Sequence, residues 1–156
     1  MRDPVTAYLA LGANLGDARA TVRSAIDAIA ASAGCQLRQR SSLYRTAPID
    51  AGGPDYINAV IAVTTSLSAP DLLHLLQALE LQAGRERPYR NAPRTLDLDI
   101  LLYGDARMCS PQLVLPHPRM NSRAFVLVPL AQIAPQRVTP AQLQAVSDQA
   151  CVQLAD

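Results

Sequence analysis

The sequence contains no tryptophan, one phenylalanine and only three cysteines among 156 residues. The cysteines, Cys35, Cys109 and Cys151, are far apart and odd in number, so neither a disulfide framework nor a zinc site of the CxxC type fits them. No apolar run approaches the roughly 18 residues that a membrane-spanning helix needs, and the first apolar segment is too short for a signal peptide. We therefore expect a cytoplasmic protein with no membrane partner.

A strong excess of charge of either sign is also missing. Fourteen basic residues stand against thirteen acidic ones, which leaves a net charge of +1 and no cationic surface for nucleic acid. Apolar residues make up 49% of the chain and charged residues 17%, which excludes intrinsic disorder. This length suits one ordinary domain, so we expect a single domain over residues 1–156. We also expect a monomer, although length and composition do not determine the oligomeric state.

Hydrophobic periodicity and turn residues predict the order of the secondary structure. The expected elements are a strand at 5–11, a turn at 12–16, a helix at 18–33, a strand at 36–44, a strand at 56–67, a helix from Ser68 to Gly84, a strand at 95–103 and a last helix at 139–154. The first six regular elements read β-α-β-β-α-β, which is typical of the ferredoxin-like split βαβ arrangement. We therefore predict an α+β fold: an antiparallel sheet with helices packed on one face and a C-terminal extension carrying a helix.

The strongest chemical signal is the pair of acids in Asp97-Leu98-Asp99. Strict alternation along 95–103 places both carboxylates on one face of the strand, with Cα atoms about 6.6 Å apart. It places Leu98, Ile100 and Leu102 together on the other face. Carboxylates this close repel each other unless a cation lies between them, and Mg²⁺ takes one or two carboxylates together with water and phosphate oxygens. For an isolated pair of this kind a solvated strand face is the more common interpretation, so the neighbouring residues decide between the two.

A cluster of arginines comes directly before the acidic pair. Four arginines and one glutamate fall within residues 85–94, a local charge of +3 in a nearly neutral chain. Guanidinium groups match the geometry of phosphate, and Arg94 lies three residues from Asp97. Phosphoryl transfer requires phosphates held between metal-binding carboxylates and arginines, so we favour that interpretation over a solvated loop or an RNA-contacting patch.

Two downstream features complete the pattern. His117 is flanked by prolines, which hold it rigidly enough to hydrogen-bond a phosphate; as a lone feature, a structural or exposed histidine is the more common interpretation. Tyr56 and Phe125 can stack on a flat heterocycle while the Asn58 amide contacts its edge; on composition alone, packing of both rings in the core is the stronger interpretation.

These segments together resemble the 6-hydroxymethyl-7,8-dihydropterin pyrophosphokinase family of the folate pathway. The most specific match is the string Pro-Arg-Thr-Leu-Asp-Leu-Asp-Ile at 93–100. The similarity covers nearly the whole chain, with further matches at 11–16, 42–46, 54–59, 80–85, 115–117 and 123–125. Asn91 stands where the family has a tryptophan, with Tyr89 nearby.

The resemblance implies transfer of pyrophosphate from ATP to the hydroxymethyl group of the reduced pterin, with release of AMP. It implies two Mg²⁺ ions on Asp97 and Asp99, which with Arg85 and Arg94 form the catalytic set. The residues matching ATP-binding positions are Gln77, Glu80, Arg85, Arg87, Arg94, Ile100, His117 and Arg123. The residues matching pterin-binding positions are Thr46, Pro48, Tyr56, Asn58 and Phe125. The implied partners are ATP and the reduced pterin, without nucleic acid or membrane.

Three other functions are compatible with parts of this pattern. A nucleotidyltransferase or cyclase on a ferredoxin-like sheet also holds metals on paired aspartates, but it releases pyrophosphate. A regulatory module that binds a nucleotide or an amino acid on the same fold has no need for four arginines beside two strand carboxylates. An RNA-binding module is the weakest of the three, because the net charge is near zero and exposed aromatic residues are not clustered.

Overall fold

A computed structural model describes residues 3–47, 54–83 and 96–155. Its helices and strands are, in chain order, β1 (Val5–Ala13), α1 (Ala18–Ala30), β2 (Cys35–Arg40), β3 (Tyr44–Thr46), β4 (Tyr56–Thr65), α2 (Ala69–Ala83), β5 (Asp97–Tyr103), β6 (Met108–Cys109), β7 (Val114–Leu115), α3 (Ala124–Ile133), α4 (Pro140–Ala145) and β8 (Cys151–Gln153). Single 3₁₀ turns precede α3 and α4. No helix of the described residues has the length and apolar character needed to cross a membrane.

The main sheet has six strands in the order β5-β1-β4-β3-β8, with β2 also paired to β4, and every pairing is antiparallel. This topology confirms the predicted ferredoxin-like arrangement. The single strand expected at 36–44 is two strands, β2 and β3, which lie one after the other along the same edge of β4. Ser41 lies between them, and its hydroxyl accepts a hydrogen bond from the N–H of Val60 at 3.0 Å.

Helices α1 and α2 cover one face of the sheet. Both begin at predicted caps: Asp17 accepts from the N–H of Ala20 at 3.1 Å, and Ser68 accepts from the N–H of Asp71 at 3.2 Å. Their apolar stripes, represented by Ile26 on α1 and Leu72 on α2, are fully buried against the sheet. Burying each such side chain stabilises the fold by about 1.5–3 kcal/mol.

The C-terminal third of the chain covers the opposite face, which the sequence pattern did not indicate. Leu127 and Leu130 of α3 pack against Tyr8, Val60 and Leu101 of the sheet, forming a second core. Helix α3 is apolar on nearly every side, so it lacks the alternation of polar and apolar stripes that identifies a surface helix. The sheet is therefore sandwiched between helices.

The last predicted helix is wrong in its extent. Helix α4 starts at the expected place, where Thr139 and Gln142 form a reciprocal capping box. It ends at Ala145, and residues 151–153 form β8 on the edge of the main sheet, paired with β3. One edge of β3 pairs with β4, and its other edge has backbone groups available for hydrogen bonds. Residues 151–153 bind there as a strand, whereas a longer helix would leave those groups of β3 without these partners.

The predicted strict alternation along β5 fails after Ile100. Leu9 pairs with Ile100 but Tyr8 pairs with Leu102, so Leu101 is an extra residue in the strand. This bulge turns Leu101 into the second core and leaves Leu102 half-buried beside it rather than on the side of Leu98. The two aspartates precede the bulge and keep the common face that the sequence predicted.

Candidate active site

A cavity of about 280 Å³ lies between the sheet and the residues that begin α3. Its floor comes from β1, β3, β4 and β5, and one wall comes from Arg123 and Phe125. The residues lining it are Ala10, Leu11, Gly12, Thr46, Ala47, Tyr56, Asn58, Glu80, Asp97, Asp99, Arg123 and Phe125. Representatives of the predicted metal, phosphate and pterin groups therefore share one space.

The floor of the cavity is built by strand register. Gly12 pairs with Asn58 on one side and with Asp97 on the other, while Ala10 pairs in the same way with Val60 and Asp99. Directly paired residues share a face of the sheet, so the two acids and Asn58 lie on the side of α3. The small residues between them leave the space open.

Gly12 is required by a close approach. A Cβ atom added at this position would lie 2.7 Å from the Oδ1 atom of Asn58. The predicted turn at 12–16 is wrong for its first two residues, because Gly12 and Ala13 are the last residues of β1. Glycine here serves the contact between strands rather than a turn.

The acidic pair is held on an edge strand. Asp97 is half-buried and Asp99 is exposed, with its side chain 49% accessible. Between them, the backbone N–H of Leu98 donates to the Oε2 atom of Glu80 on α2 at 2.8 Å. Since β5 ends the sheet on this side, the Glu80 carboxylate takes the place of a further strand and ties the acidic pair to α2.

His117 approaches the pair from the loop after β7. Its backbone N–H donates to the carbonyl of Leu101 at 2.9 Å, and its Nδ1 atom accepts from the N–H of Arg119 at 3.1 Å. The Nε2 atom lies 3.9 Å from Asp99 Oδ1. Burial is the largest influence on His117 and lowers its pKa. The negative charge of Asp99 raises the pKa, and the positive charges of Arg123 and Arg119 lower it. The neutral ring therefore carries its proton on Nε2 and directs it toward the acidic side of the cavity.

Arg123 and Phe125 form the wall at the start of α3. The Arg123 guanidinium lies over the Phe125 ring, with its central carbon 5.3 Å from the ring centroid. This cation–π contact restrains the orientation of each side chain relative to the other. Both side chains are half-buried. The cavity is thus lined by carboxylates together with a guanidinium group and an aromatic ring.

A buried hydrogen bond between Asn58 of β4 and Thr46 of β3 also lies at the cavity. Asn58 is 5% exposed, and its Nδ2 atom donates to Thr46 Oγ1 at 2.7 Å. Thr46 pairs with Tyr56, whose half-buried ring borders the same space. A buried amide whose N–H is held by a fixed acceptor has a defined orientation, which suits recognition of a flat polar ring.

The structure does not bring every predicted residue into the cavity. Ile100 is 2% exposed and packs in the core on the opposite face, and Gln77 is exposed on α2 outside the lining. The predicted residues Pro48, Arg85, Arg87 and Arg94 lie outside the described residues, as does Asn91. The lining residues that the sequence did not indicate are Ala10, Leu11, Gly12 and Ala47, whose side chains have no reactive or polar group. Strand register places the first three, and Ala47 directly follows β3.

The acidic pair fits a magnesium ion better than a metal enclosed by protein ligands. No group of three or more His, Cys, Asp or Glu side chains within the three described ranges is arranged to hold a metal. Two carboxylates beside open space match Mg²⁺, which keeps several waters and binds substrate phosphates. The donor set therefore suits an ion that arrives with, or is completed by, a nucleotide.

Comparison with known proteins identifies relatives over most of the chain. The family model described as 7,8-dihydro-6-hydroxymethylpterin-pyrophosphokinase matches residues 8–135. A 2-amino-4-hydroxy-6-hydroxymethyldihydropteridine pyrophosphokinase of Synechocystis is 44% identical over 134 residues, covering 86% of this chain and 69% of that protein. The Pseudomonas aeruginosa protein of the same name is 46% identical over 134 residues, covering 85% of this chain and 83% of its own length.

Solved structures agree on the fold. A triple mutant of Plasmodium falciparum HPPK-DHPS superposes with a TM-score of 0.73 at 13% identity, covering 92% of this chain and 43% of that chain. The wild-type protein, solved with pterin and p-hydroxybenzoate, gives a TM-score of 0.67 at 13% identity over the same shares. The chain therefore spans less than half the length of these two structures, and at this identity the likeness shows the fold alone.

Proposed function

Since the chain belongs to the 7,8-dihydro-6-hydroxymethylpterin-pyrophosphokinase family, we propose that it transfers pyrophosphate from ATP to the hydroxymethyl group of 6-hydroxymethyl-7,8-dihydropterin and releases AMP. One observation carries this proposal: Asp97, Asp99 and Arg123 line the same cavity as Tyr56, Asn58 and Phe125. Groups suited to a polyphosphate thus adjoin groups suited to a flat polar ring.

The chemical step is an in-line displacement. The hydroxymethyl oxygen attacks the β-phosphorus of ATP, and a new O–P bond forms as the bond to the oxygen bridging the α- and β-phosphates breaks. AMP leaves with that electron pair, and the hydroxyl proton is released. Arg123, which lines the same cavity as the two acids, places positive charge where negative charge spreads over the phosphate oxygens.

We assign Mg²⁺ to Asp97 and Asp99, with two ions as the resemblance implies. These two carboxylates would hold the ions, which would supply positive charge to neutralise and orient phosphate oxygens. The chain's own contribution is to hold both carboxylates on one strand face, and the bond from the Leu98 N–H to Glu80 keeps that segment in place. His117 directs a neutral N–H toward the same side and is assigned to a phosphate oxygen.

The pterin is assigned to the space between Phe125, Tyr56 and Asn58. The Asn58 amide donates to Thr46, which orients its carbonyl oxygen over Gly12 as an acceptor for an N–H of the ring. The aromatic side chains flank the faces of the ring. Thr46 fixes the amide, and the described backbone next to it at Ala47 also borders the space.

A product analysis tests the proposal. The protein is incubated with ATP, Mg²⁺ and the reduced hydroxymethyl pterin, omitting each in turn, and nucleotides and pterins are separated by chromatography. We expect AMP and the pterin diphosphate only when all three are present. Release of inorganic pyrophosphate instead would support nucleotidyl transfer, and the absence of any ATP consumption would support a binding module.

A further inference from the structure

Helix α3 begins after a residue that does not cap it. N-cap side chains are normally Ser, Thr, Asp or Asn, which fold back and accept from the first N–H groups of the helix. Arg123 occupies this position and makes no capping hydrogen bond. Its guanidinium instead lies over Phe125 and lines the cavity. The first N–H of α3 therefore needs an acceptor from elsewhere.

Gln149, in the turn region after α4, provides that acceptor. Its Oε1 atom accepts from the N–H of Ala124 at 2.9 Å, and its Nε2 atom donates to the carbonyl of Ser122 at 2.9 Å. These atoms belong to the two peptide groups on either side of the Arg123 Cα. One planar side-chain amide thus restrains the backbone on both sides of Arg123.

Gln149 is itself held by the surrounding C-terminal segment. Its backbone N–H donates to the carbonyl of Val146, which is buried in the second core. Two residues later Cys151 begins β8, which pairs with Thr46 of β3. This clamp, formed by Gln149 with Ser122 and Ala124, therefore connects the corner that carries Arg123 to the strand that carries Thr46. Gln149 itself lies outside residues 8–135, the span matched by the family model.

We propose that Gln149 is a positioning residue for catalysis, which holds Arg123 and Phe125 in the orientation that receives substrate. Because a capping side chain at position 123 would have to turn toward the helix, moving the cap to Gln149 leaves that position to an arginine that faces the cavity. This inference rests on the proposed function, since it concerns the groups assigned there to triphosphate and pterin.

Three variants test the role. Gln149→Met keeps the length of the side chain but removes both hydrogen bonds, and Gln149→Glu keeps the acceptor for the Ala124 N–H while losing the donor to Ser122. Gln144→Met, on the exposed side of α4, is the matched control. The measurements are kcat and KM from AMP formation, the Kd of 6-hydroxymethyl-7,8-dihydropterin by calorimetry, and Tm.

We expect Gln149→Met to raise the KM and Kd of the pterin about tenfold, because loss of an acceptor frees the corner that carries the ring contact. Gln149→Glu is expected to recover most of this loss, leaving an increase of about threefold. Gln144→Met should match the wild type. A purely stabilising role would lower Tm and leave the Kd of the pterin unchanged.

The outcomes separate this inference from the proposed function. A wild-type protein that forms no AMP overturns the proposed function, whatever the variants do. An active wild type with an unchanged pterin Kd in Gln149→Met overturns the positioning role alone. If Gln149→Met does not fold, Gln149→Glu decides, because the role requires its pterin KM to exceed that of the wild type.

Discussion

Gly12 and Ala10 determine whether the cavity exists, although neither has a polar or reactive side chain. They are the residues of β1 that lie between Asn58 and Val60 on one side and the two acids on the other. Any larger side chain at these positions would project into the space that the substrates are proposed to occupy. The site therefore depends on small residues that leave space for substrate as much as on charged residues that bind it.

Gly12→Ala should weaken pterin binding. The new methyl group would lie 2.7 Å from Asn58 Oδ1, so the amide must shift, which disturbs its hydrogen bond to Thr46. We expect the Kd of the pterin to rise about tenfold and the free energy of unfolding to fall by about 1–3 kcal/mol, as in other overpacked sites. Calorimetric titration and denaturant unfolding measure the two effects.

Gly104→Ala is the matched control for that variant. Its Cβ would lie 2.9 Å from Val5 at a positive φ, outside the residues that line the cavity. It should lower stability while leaving the pterin Kd at the wild-type value. Equal losses of pterin affinity in the two variants would show that Gly12 acts through global stability alone.

Asp99→Asn should abolish most turnover without destabilising the fold. The change removes a carboxylate from the proposed magnesium site, and we expect kcat to fall at least about 100-fold, the scale of loss seen when a preorganised charge contact is removed. The folded protein should be as stable as the wild type or more so, because the repulsion from Asp97 is relieved. AMP formation and thermal unfolding give both quantities.

Asp105→Asn serves as the control for the acidic pair. Asp105 follows β5, its side chain is 99% accessible, and its Oδ1 atom lies 3.7 Å from the Nη1 atom of half-buried Arg137. Such a pair contributes little to stability, so both kcat and Tm should stay at wild-type values. Near-normal kcat in Asp99→Asn would contradict the metal assignment.

At the scale of secondary structure elements, α3 connects stability to the site. Its buried side chains hold it on the sheet, and its first residues carry the cavity wall. The helix was not predicted because its apolar residues form no stripe and Pro129 lies within it, which is typical of a helix end. Burial on the second face of the sheet outweighs both local signals.

Leu127→Ala should destabilise the protein strongly. Leu127 is fully buried between α3 and the sheet, so truncation removes apolar contacts and leaves a cavity. We expect the free energy of unfolding to fall by about 2–5 kcal/mol. Leu81→Ala, at a position 73% exposed on α2, should change it by less than about 0.5 kcal/mol in the same denaturant experiment. Similar losses in both variants would contradict the second core.

For the molecule as a whole, the C-terminal segment predicts how stability responds to alkaline pH. Burial raises the pKa of Cys151 from its ordinary value of 9.0 to about 11. Between these values the unfolded thiol loses its proton while the folded thiol keeps it, so stability falls as pH rises. Burial, followed by the charge of Cys151, also raises the pKa of Tyr44, which acts in the same direction.

Cys151→Ser should therefore lose less stability than the wild type between about pH 8 and about pH 10, measured by denaturant unfolding. Cys109→Ser, at an exposed thiol, should follow the wild-type profile. An identical pH dependence in all three proteins would mean that the Cys151 thiol titrates equally in the folded and unfolded chains.

The monomeric state, the single domain and the cytoplasmic location stay predictions. Light scattering during size-exclusion chromatography tests the first of them, and we expect one species of about 16.7 kDa, the mass of the chain. A dimer at micromolar concentration would contradict it.

Much of this protein was determined by local sequence. The order of the β-α-β-β-α-β elements, the caps at Asp17 and Ser68, and the common face of Asp97 and Asp99 follow from periodicity and short-range hydrogen bonding, which neighbouring residues decide among themselves. The family likeness likewise rests on short strings of residues. Each of these features needs only a few consecutive positions to be recognised.

Tertiary structure alone decided which residues share the cavity. The bulge at Leu101, the close approach of Gly12 to Asn58, the position of α3 and the clamp from Gln149 to Ser122 and Ala124 all join residues far apart in the chain. Such contacts depend on strand register and on the packing of two cores against one sheet. The propensity of a short segment does not predict the register or the packing, because both depend on the free energy of the complete folded chain.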